Sequence, residues 1–209
     1  MKNFIKTNKS YIKSIVLVLF AQAFLYYIIN IIIQNHHYLD SIFSIPLIKD
    51  FIYIYHSWYP LVIITSYFIY KDDKDLYKKL IFTFIISFIM AQLTFIFYPS
   101  AVIRPQIEVK TITDYIIYLT YKFDNPTNCL PSVHALVCYI MIYYLNKSNI
   151  KVLAKILLTT YFILIILSTI FTKQHLPIDL LFAIIYAIIA IILVKIFYLK
   201  LKETLKKLF

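Results

Sequence analysis

Runs of about twenty apolar residues, parted by short clusters of charge, constrain this chain more than anything else in it. The clearest pair flanks Lys71-Asp-Asp-Lys-Asp-Leu-Tyr-Lys-Lys79, with Phe51 to Tyr70 before it and Leu80 to Phe97 after it. Twenty helical residues rise about 30 Å, the thickness of a bilayer's hydrocarbon core. Soluble domains are roughly half apolar, whereas here 62% of residues are hydrophobic and the mean hydropathy is +0.79. The chain reads as an integral membrane protein, all-α, with its spans forming one unit and no separate soluble domain.

Six spans are expected. Met1 to Lys13 is polar, lacks a small-residue cleavage site, and reads as a retained tail. Ser14 to Ile33 is the first span and Phe51 to Tyr70 the second, kinked at Pro60. The charged turn from Lys71 to Lys79 cannot lie in lipid, and Leu80 to Phe97 is the third span. Tyr98 to Leu130 is the longest polar connection. Within it Ile112, Tyr115, Ile116 and Leu119 recur at helical spacing behind a cap at Thr113, which fits a helix lying on the membrane surface. Ser132 to Leu145 is a short fourth span, Val152 to Phe171 the fifth and Ile178 to Leu199 the sixth, before a Lys-rich tail.

The net charge of +11 does not point to nucleic acid here, because Lys in a membrane protein marks the cytoplasmic side. Sixteen of the 21 basic residues, from Lys2 to Lys207, fall on one side of the expected spans. Lys49, Arg104, Lys110, Lys122 and Lys173 fall on the other. Both termini are therefore expected in the cytoplasm. The Lys clusters double as contacts for anionic membrane lipids. Cys129 and Cys138 sit too far apart on a helix to bridge, so no disulfide framework is implied.

Chemistry gathers on the opposite face. All five His lie at or near it, as does Arg104, the only Arg in a chain that otherwise uses Lys. A lone Arg points to a place that needs a planar, forked guanidinium. Between the fifth and sixth spans, His175 precedes Asp179 by four residues, with Lys173 just before and Pro177 suited to a helix's first turn. A carboxylate on one imidazole nitrogen fixes the tautomer and leaves the other nitrogen free as base or nucleophile. Three stretches converge there: Tyr98-Pro-Ser-Ala-Val-Ile-Arg-Pro105, Cys129-Leu-Pro-Ser-Val-His-Ala135, and Ser168 to Asp179. A cationic pocket with two imidazoles and a helix N-terminus at Ser132 suits an oxyanion, phosphate first of all. His36-His37-x-x-Asp40 has ligand types for a metal, but adjacent side chains in a loop diverge and a polar loop is the better reading.

The order Arg-Pro, Pro-Ser-x-His, Lys-Gln-His-x-x-x-Asp resembles the three-part signature of the type 2 phosphatidic acid phosphatase superfamily. The forms Ile-Arg-Pro, Asn-Cys-Leu-Pro-Ser-Val-His and Thr-Lys-Gln-His are most similar to the branch of inositol phosphorylceramide and sphingomyelin synthases and many bacterial lipid phosphatases. The resemblance implies a six-helix bundle in a bacterial cell membrane, with its active site at the outer face. It implies that His175 is the nucleophile that forms a phospho-histidine, that Asp179 orients it, and that His134 serves as acid and then base. It implies that Arg104, Lys173 and the Ser132 region bind the phosphate, with no metal and no cofactor. Phe97 stands where the family often has a Lys, and Val133 where it usually has a Gly. The expected substrate is a lipid phosphate and the expected reaction its hydrolysis. Transfer of a phospho-headgroup to a lipid alcohol is the near alternative, and a catalytically silent lipid-binding or transport protein the distant one.

Overall fold

The computed structural model describes residues 8–39 and 44–208. The start of the expected N-terminal tail, up to Thr7, and Asp40 lie outside them. Apart from two three-residue strands, the regular structure is helical: α1 (Lys9–Ile32), β1 (His37–Leu39), α2 (Phe51–His56), α3 (Trp58–Asp72), α4 (Lys74–Phe97), β2 (Ser100–Val102), α5 (Ile112–Phe123), α6 (Val133–Lys147), α7 (Val152–Phe171) and α8 (Pro177–Leu208).

Helices α1, α4, α7 and α8 as far as Tyr198 are long and apolar enough to cross a membrane. The other two expected spans are shorter. The second is not one kinked helix but two, parted at Ser57. Pro60 explains the break: it has no N–H to give the carbonyl four residues back, at His56, and its ring crowds that carbonyl. The Ser57 hydroxyl closes the end of α2 by donating to the Ile54 carbonyl at 2.6 Å. The fourth span, α6, has 15 residues and is about 22 Å long. It packs against α3, α4, α7 and α8, and eight of its side chains, from Ala135 to Leu145, are buried. A helix surrounded by protein has no need to match the lipid thickness.

The charged turn is tighter than its composition suggests. Only Asp73 separates α3 from α4, because its carboxylate caps α4 by accepting from the N–H groups of Asp75 (2.7 Å) and Leu76 (3.0 Å). Lys74 to Lys79 wind into the helix. At the other end of the chain α8 runs through the expected tail to Leu208, where Leu, Lys and Glu are all good helix formers.

Two devices hold the long connections over the site. Strands β1 and β2 pair in parallel with Tyr38 opposite Ala101, and Ala101 also bridges Thr127. The Ser100 hydroxyl accepts from the N–H groups of Cys129 (3.1 Å) and Leu130 (2.8 Å), so the Arg104 stretch and the stretch leading into α6 are sewn together. Helix α5 is capped two residues earlier than expected. Thr111, not Thr113, is its N-cap, in a reciprocal capping box with Asp114 three residues on. The Lys49 ammonium lies 2.5 Å from Asp114 and, with the Thr111 hydroxyl, holds that carboxyl far below the usual carboxylate range. Ile112 and Tyr115 are exposed while Ile117 and Thr120 are buried, so α5 packs one face against the rest of the chain.

Candidate active site

His175 is aimed by the way α7 ends. Thr172 closes the helix and Lys173 turns left-handed at φ 58°. The N–H of Lys173 then reaches the Ile170 carbonyl and that of Gln174 the Thr169 carbonyl, both at 3.0 Å. This is a Schellman motif, whose left-handed position is ordinarily Gly. The chain contains no Gly, so Lys173 takes the strained conformation. Its ammonium donates to the Ile45 carbonyl. Two residues after His175, α8 starts at Pro177, where a missing N–H costs nothing. Asp179, with none of its surface exposed, accepts from the Leu176 N–H at 2.8 Å and lies 3.2 Å from His175 Nδ1 with the same oxygen, Oδ2. One carboxylate thus caps α8 and fixes the imidazole. With Nδ1 engaged, Nε2 is the nitrogen left to act.

Arg104 lies across the site on three supports. Its Nη1 donates to the Asp124 carbonyl at 2.5 Å, its Nη2 to Gln174 Oε1, and its guanidinium sits 4.9 Å above the Tyr121 ring. The Asp124 carboxylate is 4.0 Å from Nη2. Burial pushes the Tyr121 hydroxyl up to about 12, so it stays neutral and donates to the Thr172 carbonyl at 2.8 Å. The Arg104 side chain is only 7% exposed, and its Nε has no partner among the described residues.

His134 sits in the first turn of α6, boxed by aromatic rings: Tyr55 stacked at 4.5 Å, Trp58 at 4.6 Å and Tyr59 edge-on at 6.2 Å. Its Nε2 is buried without a partner among the described residues. Ser132 is the N-cap of α6, accepting from the Ala135 N–H at 3.3 Å, and its own N–H donates to the Asp179 carbonyl at 3.2 Å. That bond ties the helix carrying His134 to the turn carrying His175.

Arg104, His134 and His175 line one cavity of about 470 Å3. Asp179 stands behind His175. Ser132 is buried at the foot of α6, and Lys173 points away towards Ile45. Neither of the last two is among the lining side chains. Three lining residues that sequence reasoning missed are Gln174, Asp124 and Tyr26, whose hydroxyl donates to Asp124 Oδ1 at 3.2 Å and to the Thr127 carbonyl at 3.1 Å. Gln174 adjoins His175 in the sequence, which was a signal of position though not of role. Among the described residues no group of three or more His, Cys, Asp or Glu is placed to hold a metal ion. His36 bonds the Gln34 carbonyl and His37 stacks on Tyr98 at 5.0 Å.

A family model described as the PAP2 superfamily matches residues 44–193, which take in all three stretches at this cavity and most of the helices around it. The chain belongs to the PAP2 superfamily. No curated protein and no solved structure matches it.

Proposed function

We propose that this chain is an integral membrane lipid phosphate phosphatase that works through a phospho-histidine at His175. The observation that carries the reading is the meeting of Arg104, His134 and His175, from three separate segments, on one cavity. In the first step His175 Nε2 attacks phosphorus and the bond to the lipid oxygen breaks. His134 donates its proton to the departing alkoxide, so a neutral lipid alcohol leaves. In the second step His134 takes a proton from water, the water oxygen attacks phosphorus, and the bond to His175 breaks to release inorganic phosphate. Splitting one displacement into two suits a nucleophile that is itself a good leaving group. Asp179 stabilises the imidazolium that forms, and Arg104 meets the negative charge spread over the phosphoryl oxygens. The α6 N-terminus at Ser132 adds its partial positive charge, and Lys173 adds its own from the turn beside His175.

The topology belongs to the same proposal. α3 and α6 would be the two short crossings among six, both termini would be cytoplasmic, and the cavity would open to the outer leaflet of a bacterial cell membrane. The charge distribution supports this. Cys129 and Cys138 are both buried, and burial pushes the Cys129 thiol up, so the native background is quiet to thiol reagents. A membrane-impermeant reagent added to intact cells should label Lys110→Cys and spare Lys74→Cys. The opposite pattern would invert the topology.

The activity is tested with purified protein given a lipid phosphate in the presence of chelator. Free phosphate should appear, and should vanish in His134→Ala. A labelled phospho-headgroup passed instead to added diacylglycerol or ceramide would make the chain a transferase of the synthase-like branch. No turnover of either kind over a panel of lipid phosphates would make it a silent binding protein.

A further inference from the structure

The cavity extends beyond the groups that serve phosphate chemistry. Its inner wall is formed by Leu19, Gln22 and Ala23 of α1 with Phe88 of α4. Gln22 is the polar member of that wall, and it is paired. Gln92 of α4 donates from Nε2 to Gln22 Oε1 at 2.9 Å and to the Gln22 backbone carbonyl at 3.4 Å. Both side chains are buried, 8% and 6% exposed, in apolar helices long enough to span a membrane.

The pairing sets which way the Gln22 amide points. A backbone carbonyl only accepts, so the Gln92 nitrogen must face Gln22, and the Gln22 oxygen must face Gln92. The Gln22 NH2 group is left on the cavity wall with two donors that no hydrogen bond to the described residues takes up, while Gln92 Oε1 is buried without a partner among them. Donors on such a wall are met by water or by a ligand, and a lipid that displaces the water without offering an acceptor leaves them unpaired at a cost of a few kcal/mol. Polar side chains within spans are retained for a use more often than by accident.

The position suggests the use. Tyr26 lies one turn along α1 from Gln22, about 6 Å of rise, and its hydroxyl reaches the Asp124 and Thr127 groups at the level of Arg104. Gln22 is therefore about one helical turn further from the phosphate end, with apolar Leu19 and Ala23 beside it. In a glycerolipid or ceramide-type phosphate the acyl carbonyl lies a few bonds from phosphorus, at the start of the apolar chain. We propose that Gln22 recognises an acyl carbonyl, ester or amide, of the substrate lipid, held in place by Gln92. A polyprenyl phosphate has no such acceptor and would leave these donors unsatisfied. The proposal rests on the lipid phosphate reading above and narrows its substrate class.

Phosphonate analogues bind without being hydrolysed, so affinity can be read apart from turnover. Trp58 is the single tryptophan and lines the cavity, and analogues with brominated chains should quench it. The intact protein in detergent micelles is titrated with a diacyl phosphonate, a dialkyl ether phosphonate of equal chain length, and an amide-linked counterpart. An acyl-linked analogue should bind about tenfold more tightly than the ether, the worth of one good hydrogen bond in a dry site. The ester and amide arms show which linkage seats better. In Gln22→Met, similar in volume, the ratio to the ether should fall to within about twofold, with Gln22→Leu as a second variant. Equal affinities of all three analogues for the wild type would overturn the proposal. So would a Gln22→Met protein in which every analogue weakens alike, since the pair would then only tie α1 to α4. Either result beside normal phosphate release would leave the phosphatase reading standing. Carbonyl preference with no turnover would sink that reading instead.

Discussion

The two ends of this helical bundle treat polar groups in opposite ways. At the end near the α3–α4 turn they are consumed by the fold. The Tyr11 hydroxyl bonds the Ile63 carbonyl (2.6 Å) and Ser66 (3.1 Å), and Tyr77 bonds Ser14 (2.7 Å) and the Tyr11 carbonyl. Rings of Tyr67, Tyr70 and Tyr77 pack around Tyr11 at 5.3 to 5.5 Å. Asp72 accepts from the Asn149 N–H at 2.7 Å. At the cavity end, by contrast, Arg104 Nε, Asn128 Oδ1, His134 Nε2, Gln174 Nε2 and Asp179 Oδ1 are buried without a partner among the described residues. Native proteins leave few buried polar atoms unpaired. Five lie near one cavity, whereas Thr65 Oγ1, beside Ser66, is the exception at the other end. On the phosphatase reading proposed above, the groups at the cavity are there for the substrate.

Substitutions can break or sharpen that contrast. His175→Ala should have the largest effect, abolishing turnover by at least about 10^4-fold while the helical circular dichroism is retained. Residual activity within about tenfold of wild type would mean that another residue attacks. Arg104→Lys keeps the charge and loses the fork, and turnover should fall by at least about tenfold, or about 1.4 kcal/mol. A Lys variant as active as wild type would show that charge alone matters there.

Tyr77→Phe belongs to the other end. It removes two hydrogen bonds between helices and should lower thermal stability by about 1 kcal/mol, with kcat/KM unchanged. Loss of activity without loss of stability would erase the distinction between the ends. Lys173→Met should have the smallest effect. It deletes the charge without altering the left-handed turn, and turnover should drop by about threefold, the scale of a partly screened charge. A loss as large as that of Arg104→Lys would mean that the ammonium leaves Ile45 and grips the substrate directly.

The membrane class and the all-helical fold were legible because both follow from composition and run length, which are local properties. Pro60 marked the broken second run for a similar reason, although a kink and a clean break differ only in whether Ser57 can close the first helix. Arg104, His134, His175 and Asp179 stood out because rare residue types occur there at chemically meaningful spacings. The residues that hold Arg104 did not stand out. Asp124 and Gln174 lie 20 and 70 positions from it in the chain, and only the folded connections bring them together. Ser100 is a hub for a loop 30 residues away, and nothing local announces that. The expected α5 cap at Thr113 has the right residue type but the wrong place, since Thr111 is the cap. Its reciprocal bond with Asp114, three residues on, fixes it there.

A phospho-histidine at His175 is a covalent species and can be trapped. Protein mixed with phosphorus-labelled lipid phosphate and quenched in alkali within a turnover should carry label on a single histidine, stable to base and released by acid. Peptide mass spectrometry should place the phosphoryl group on His175, and His175→Ala should carry none. Steady turnover with no label on His175, or with label on another residue, would contradict the account.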